Sequence, residues 1–167
     1  MSEKPRRLAV IGGADAQPEP RDRAHDTGAA VARAGAVLLC GGRGGVRAAA
    51  AAGARSAGGR TVGILPGASA TETPPNPDIE LPIFTGLGQA RNQVLVLSAD
   101  AVIAIGGGWG TLSEIGLARK YGVPVVLLDS WQLTRPDGVI DPGLATAQTP
   151  RQALELALDG GGERSRS

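Results

Sequence analysis

The sequence predicts a single α/β domain, a Rossmann-like parallel sheet doubly wound by helices on both faces. Three observations carry this prediction. Short runs of Val, Ile and Leu alternate with Ala-rich helical stretches at short connections, the pattern of parallel strands joined by crossover helices. Three of those runs end in glycine clusters, at Gly12-Gly13, Gly41 to Gly45 and Gly106 to Gly110. The length of 167 residues suits one domain with a sheet covered on both sides.

Residues 1–5 read as a lead-in, and Leu8 to Ile11 as the first strand, ending in Gly12-Gly13. The stretch ADAQPEP (14–20) is turn-rich. A helix covers about Arg21 to Ala34 and stops at Gly35, a usual place for glycine just past a helix C-terminus. Ala36 to Cys40 is the second strand, followed by Gly41-Gly42-Arg43-Gly44-Gly45 and a helix of small residues to about Ala57. Thr61 to Leu65 is the third strand. Pro74, Pro75 and Pro77 exclude helix and central strand from residues 68–80, which read as a lid or rim of a site.

Ile83-Phe84 is a short strand, and Gly88 to Leu97 a helix with Gln89, Arg91 and Asn92 in its first turn. Ala101 to Ile105 is continuously apolar, as suits a strand buried on both faces. The glycine loop that follows leads to a helix starting near Thr111. Val123 to Leu128 is a further strand, residues 129–147 a loop, and Pro150 opens a last helix to about Leu158. The domain is assigned to residues 1–160, with 161–167 a disordered tail.

Composition narrows the function classes. A net charge of +1 makes no electrostatic case for nucleic acid or a membrane surface. No apolar run approaches the ~20 residues of a membrane helix, and LAVIGGA is too short for a secretion signal. A cytoplasmic protein is the expectation. The single cysteine, Cys40, excludes an internal disulfide; with His25 the only histidine, no metal site is expected.

The chemistry centres on Ala101 to Pro124. A strand, a glycine loop and a helix N-terminus make an anion site, because unpaired first-turn N–H groups and the helix dipole point at the ligand. In a doubly wound sheet the crevice lies at the carboxyl ends of the strands, where the strand order reverses. All three glycine loops fall at those ends. The dinucleotide fingerprint G-x-G-x-x-G is absent, as are the triphosphate P-loop and G-x-S-x-G.

What remains is a monophosphate or similar small anion held by backbone amides, with no cofactor required. Gly107, Gly108, Trp109, Gly110 and Thr111 are the expected phosphate or nucleotide cradle, flanked by Gly12, Gly13, Gly42, Gly44, Gly45 and Asn92. Trp109 either stacks on a base or covers the sheet edge at an oligomer interface. Glu114 has two readings: a carboxylate for glycosyl transfer, or the closing residue of a T-x-x-E capping box begun by Thr111. Arg91 either binds an oxyanion or lies on a surface helix turn.

GGGWGTLSE resembles the PGGxGTxxE signature of the LONELY GUY superfamily of cytokinin-activating phosphoribohydrolases, long mislabelled lysine decarboxylases. GGRGGV, VGILPG (62–67) and TGLGQARN (85–92) resemble further blocks of its short bacterial branch, which includes the molybdenum-cofactor carrier proteins. The resemblance spans about residues 7–128. It implies a Rossmann-like homo-oligomer, a homodimer or tetramer, that binds a nucleoside 5′-monophosphate. It also implies phosphoribohydrolase chemistry, cleaving the N-glycosidic bond to a base and ribose 5-phosphate, with Arg91 and Glu114 at the catalytic positions. Gly107, Gly108, Gly110 and Thr111 match the residues that grip phosphate. The alternatives are a non-catalytic carrier of a phosphorylated pterin such as molybdenum cofactor, or a nucleotide-sensing oligomer. The chain departs from the pattern at Gly106, where the family has proline, at Val46-Arg47-Ala48, usually GVM then an acidic residue or glycine, and at Asn92, where a basic residue is usual.

Overall fold

A computed structural model describes residues 4–14 and 17–164. The strands are β1 (Arg7–Gly12), β2 (Val37–Cys40), β3 (Thr61–Leu65), β4 (Leu81–Phe84), β5 (Ala101–Ile105), β6 (Val125–Leu128) and β7 (Leu144–Ala147). The helices are α1 (Pro18–Arg33), α2 (Val46–Ser56), α3 (Arg91–Ser98), α4 (Trp109–Lys120) and α5 (Pro150–Arg164). All strands pair in parallel, in the order β4-β3-β2-β1-β5-β6-β7. The predicted α/β Rossmann-like sheet is therefore present, and its order reverses between β1 and β5. None of the described helices is long and apolar enough to cross a membrane.

Side-chain alternation along the strands divides the core. Leu8 and Val10 of β1 face one apolar layer, with Leu38, Ile103, Val126 and the inner faces of α1, α2 and α5. Ala9 and Ile11 face the other, with Leu39, Ile64, Val102 and residues of α3 and α4. The central β5 is fully buried, as its continuous apolar run predicts. Pro82 lies in β4, where the edge position tolerates a residue that cannot donate to a ladder.

Several element boundaries differ from expectation, and four of the differences matter for the fold or the site. α1 begins at Pro18, using proline in its first turn, where the missing N–H costs nothing. α4 begins at Trp109, two residues before the expected start. β7 occupies part of the expected 129–147 loop; its sequence LATA lacks an apolar run, and pairing with β6 makes the strand. α5 continues to Arg164, so the boundary expected at 160/161 lies inside a helix; 165–167, the rest of the expected tail, lie outside the described residues. Gly160 and Gly161 are packing residues: a Cβ on Gly160 would come 2.9 Å from Pro124, and one on Gly161 2.9 Å from Arg6 Nη1.

α1 and α2 approach so closely that backbone meets backbone. A Cβ on Gly28 would overlap the Ala50 carbonyl, and one on Gly53 the His25 carbonyl. Gly53→Ala is therefore expected to destabilise the protein. Helix propensity favours alanine by about 1 kcal/mol, but overpacking against an unyielding backbone costs roughly 1–3 kcal/mol. Urea unfolding should show a lower midpoint with unchanged slope.

Candidate functional site

The three glycine loops interlock at the carboxyl ends of β1, β2 and β5. Gly13 packs against Gly107, with 3.8 Å from a Gly13 Cβ to the Gly107 Cα. The Gly13 carbonyl accepts the Val46 N–H at 3.0 Å, which ties the β1 loop to the start of α2. Gly45 caps α2 with φ +69°, and a Cβ there would overlap Gly13 O. Gly12 sits against Val46 and the Ile105 carbonyl, and Gly42 (φ +73°) against Leu65. A cleft of 390 Å³ opens between them, lined by Gly13, Ala14, Gln17, Pro20, Val46, Ile105 and Gly106 to Gly108. It lies at the point where the strand order reverses, the usual ligand position in such sheets. Gly44 lies in the turn that carries the β2 loop into α2.

Gly108 is the N-cap of α4, with Trp109, Gly110 and Thr111 forming its first turn. No side-chain hydrogen bond caps this end, the end of a helix where backbone N–H groups lack intrahelical partners. Gly107 has φ +102° and lies against the Thr111 side chain, which is itself buried. Gly106, in the position where the family has proline, has φ +55°, an angle a proline ring forbids. Its exit is held instead by hydrogen bonds: its N–H donates to Leu128 O at 3.4 Å, and Ser130 Oγ donates to its carbonyl at 2.7 Å. Trp131 Nε1 donates to Gly108 O at 3.3 Å, and its ring lies 5.4 Å from that of Trp109. Trp109 is 79% exposed. No spacing in the sequence identifies Ser130 as a latch, because the contact joins two loops brought together only by the sheet.

Glu114 does not close a capping box. Because the helix is capped at Gly108 and starts at Trp109, Thr111 is its third residue and Glu114 lies a turn beyond the position that would close a capping box. Glu114 is 7% exposed, and burial raises its carboxyl from 4.5 to about 7, against the opposing pull of Arg91 and Arg47. Arg91, the first residue of α3, is 5% exposed; burial lowers its pKa, while Glu114 raises it. Its Nη1 donates to Ile64 O at 3.0 Å, but its Nε has no partner, and neither has Asn92 Oδ1 beside it. Within 4.0 Å the two opposite charges make no direct ion pair. Cys40, buried at the end of β2 in the same neighbourhood, has its thiol pushed up to about 11 by burial, so it stays protonated and unreactive at neutral pH.

The segment expected as a lid or rim is pinned. Asn76 donates its backbone N–H to Gly42 O at 2.9 Å and its Nδ2 to Arg43 O at 3.1 Å, so residues 66–80 brace the β2 loop. A larger cavity of 870 Å³ lies at the other ends of the strands, among Arg7, Val37, Arg60, Val62, Leu81 and Asp100. It contains none of the glycine loops and is the part of the sheet that α3 and α4 leave bare.

The family model described as the SLOG cluster4 family matches residues 5–154. The structure of the molybdenum cofactor binding protein from Rippkaea orientalis superimposes with a TM-score of 0.82 at 38% identity, covering 95% of this chain and 98% of that one. The molybdenum cofactor carrier protein from Chlamydomonas reinhardtii gives 0.82 at 32% identity, covering 94% and 98%. A protein of Mycobacterium tuberculosis named cytokinin riboside 5′-monophosphate phosphoribohydrolase is 35% identical over 116 residues, 65% of this chain and 62% of its own.

Proposed function

The chain belongs to the SLOG cluster4 family, and from that premise we propose that its crevice holds a small organic monophosphate, first of all a nucleoside 5′-monophosphate, and hydrolyses its N-glycosidic bond. The phosphate sits on the amides of Gly107 to Thr111, and Arg91 and Glu114 face the sugar. The observation that carries this reading is Glu114: a buried carboxyl raised to about 7, beside a buried arginine and without a capping duty.

The chemistry follows from that placement. As the bond from C1′ to the base breaks, positive charge builds on the ribose, and a nearby carboxylate stabilises it. The same carboxylate accepts a proton from the attacking water, whose oxygen joins C1′, while the base leaves with the bond electrons and takes up a proton from solvent. A group that titrates near neutrality is suited to such transfers. Arg91 neutralises an oxyanion of the substrate and orients Glu114.

A second reading, a non-catalytic carrier of a phosphorylated pterin, is favoured by the near-complete coverage of the two molybdenum-cofactor protein structures. Release of ribose 5-phosphate from a panel of nucleoside monophosphates, including N6-modified AMP, separates the two. Turnover supports the hydrolase. Tight pterin binding by folded protein that releases no ribose 5-phosphate supports the carrier.

Self-association belongs to the same reading. Parallel sheets are ordinarily covered on both faces, yet Leu81 and Ile83 on the bare face of β4 are exposed, beside partly buried Val37 and Val62. A second copy covering this face makes a homodimer. Leu81→Asp is expected to convert dimer to monomer in sedimentation equilibrium, and an unchanged mass would place any interface elsewhere.

A further inference from the structure

α2 opens against its own electrostatics. The positive end of a helix dipole favours acidic side chains in the first turn, but this turn contains none and places Arg47 there. Arg47 Cδ and the Arg91 guanidinium both lie against Gly41, so that a Cβ added at Gly41 would meet the two side chains at once. A third arginine, Arg43, lies on the adjoining loop, where the Gly42 and Arg43 backbone carbonyls accept the two hydrogen bonds from Asn76. Both Arg43 and Arg47 act on Arg91 as like charges, with Glu114 the acidic side chain that opposes them. At the centre of this group Arg91 is buried and its Nε has no partner, and Asn92 Oδ1 is also buried and unsatisfied. A buried, incompletely bonded guanidinium among like charges is relieved by an incoming oxyanion, which guanidinium groups bind in charge-assisted pairs.

We propose that Arg47 and Arg91, which meet at Gly41 by the N-terminus of α2, form with Arg43 of the adjoining loop a second oxyanion subsite separate from the α4 cradle, so that the ligand carries a phosphate at one end and a second phosphate or carboxylate at the other. This rests on the reading that the α4 cradle takes the first phosphate. It makes Arg47 a specificity residue: an uncharged heterocycle at that end of the crevice adds no negative charge to that of Glu114, whereas a doubly anionic small molecule spans both subsites.

The test is calorimetric titration of ribose 5-phosphate and ribose 1,5-bisphosphate into the wild type, Arg47→Ala, Arg47→Glu, Gly107→Ala and Arg60→Ala at one fixed ionic strength, with thermal unfolding to verify the fold. Arg60 lies at the opposite ends of the strands and controls for net charge. The wild type and Arg60→Ala are expected to bind the bisphosphate at least tenfold more tightly than the monophosphate. Arg47→Ala should remove most of that preference with monophosphate binding unchanged, and Arg47→Glu should invert it. Equal affinities in the wild type, or a parallel loss for both ligands in Arg47→Ala, would overturn the second subsite. If ribose 5-phosphate then still binds and Gly107→Ala abolishes that binding, the cradle stands alone. If neither ligand binds the folded wild type, the cradle fails with it.

Discussion

Glu114→Gln is expected to slow ribose 5-phosphate release by roughly 10²–10⁴-fold, the usual contribution of a positioned acid or base, while nucleotide affinity changes only a few-fold. The substitution keeps shape and removes ionisation. Because α4 is capped at Gly108 and Glu114 lies a turn further in, the helix N-terminus is unaffected. A capping glutamate would behave in the opposite way, losing about 0.5–2 kcal/mol of stability with turnover intact. The pH profile adds a second signature. With the carboxyl raised to about 7, an activity that needs the carboxylate rises with pH through that value, and the Gln variant lacks this limb.

Stability responds with the reverse sign. Between 4.5 and about 7 the folded protein holds a proton that the unfolded chain has released, so Glu114 contributes a loss of stability as pH rises across that window. Its size is of order 3 kcal/mol, and urea unfolding of the Gln variant from pH 5 to 8 should show a correspondingly flatter profile.

Gly107→Ala is expected to weaken phosphate binding by about 100-fold or more, the loss of two charge-assisted hydrogen bonds. Gly107 has φ +102°, where an L side chain is strained, and its Cβ would overlap the Thr111 side chain. The loop has to shift, and the amides of the first turn shift with it. A stability loss of roughly 1–3 kcal/mol should accompany the change. Gly116→Ala on the same helix is the control, since its Cβ enters open space and its backbone is unstrained. That variant should bind normally and be slightly more stable. Titration calorimetry on both variants reads the difference.

The parts of this molecule legible in the sequence are those governed by local pattern. β3 and β5 keep their expected bounds, because each is an apolar run closed by Pro-Gly or by a glycine cluster. The gathering of the glycine loops follows from strand alternation alone. Three features were hidden for distinct reasons. The start of α4 lies within a glycine run, where residue type does not mark the first helical turn; only the backbone shows Gly108 as the cap, and that one boundary removes the capping-box reading of Glu114. β7 has no apolar run of its own and is recruited by β6. The Ser130 and Trp131 hydrogen bonds that fix the β5 loop join distant segments, and the φ of +55° at Gly106 is one that a proline there could not adopt. Burial, invisible in a list of residue types, distinguishes Arg91 and Glu114 from surface charges.

The central claim is that the α4 amides receive a ligand phosphate, and amide chemical shifts recorded while ribose 5-phosphate is titrated into the protein test it most directly. The account predicts the largest, saturating shifts at the N–H groups of Gly108, Trp109, Gly110 and Thr111, with smaller ones at Gly13 and Gly45. Shifts confined to the bare face of β2 to β4, with the α4 amides unmoved, would contradict it.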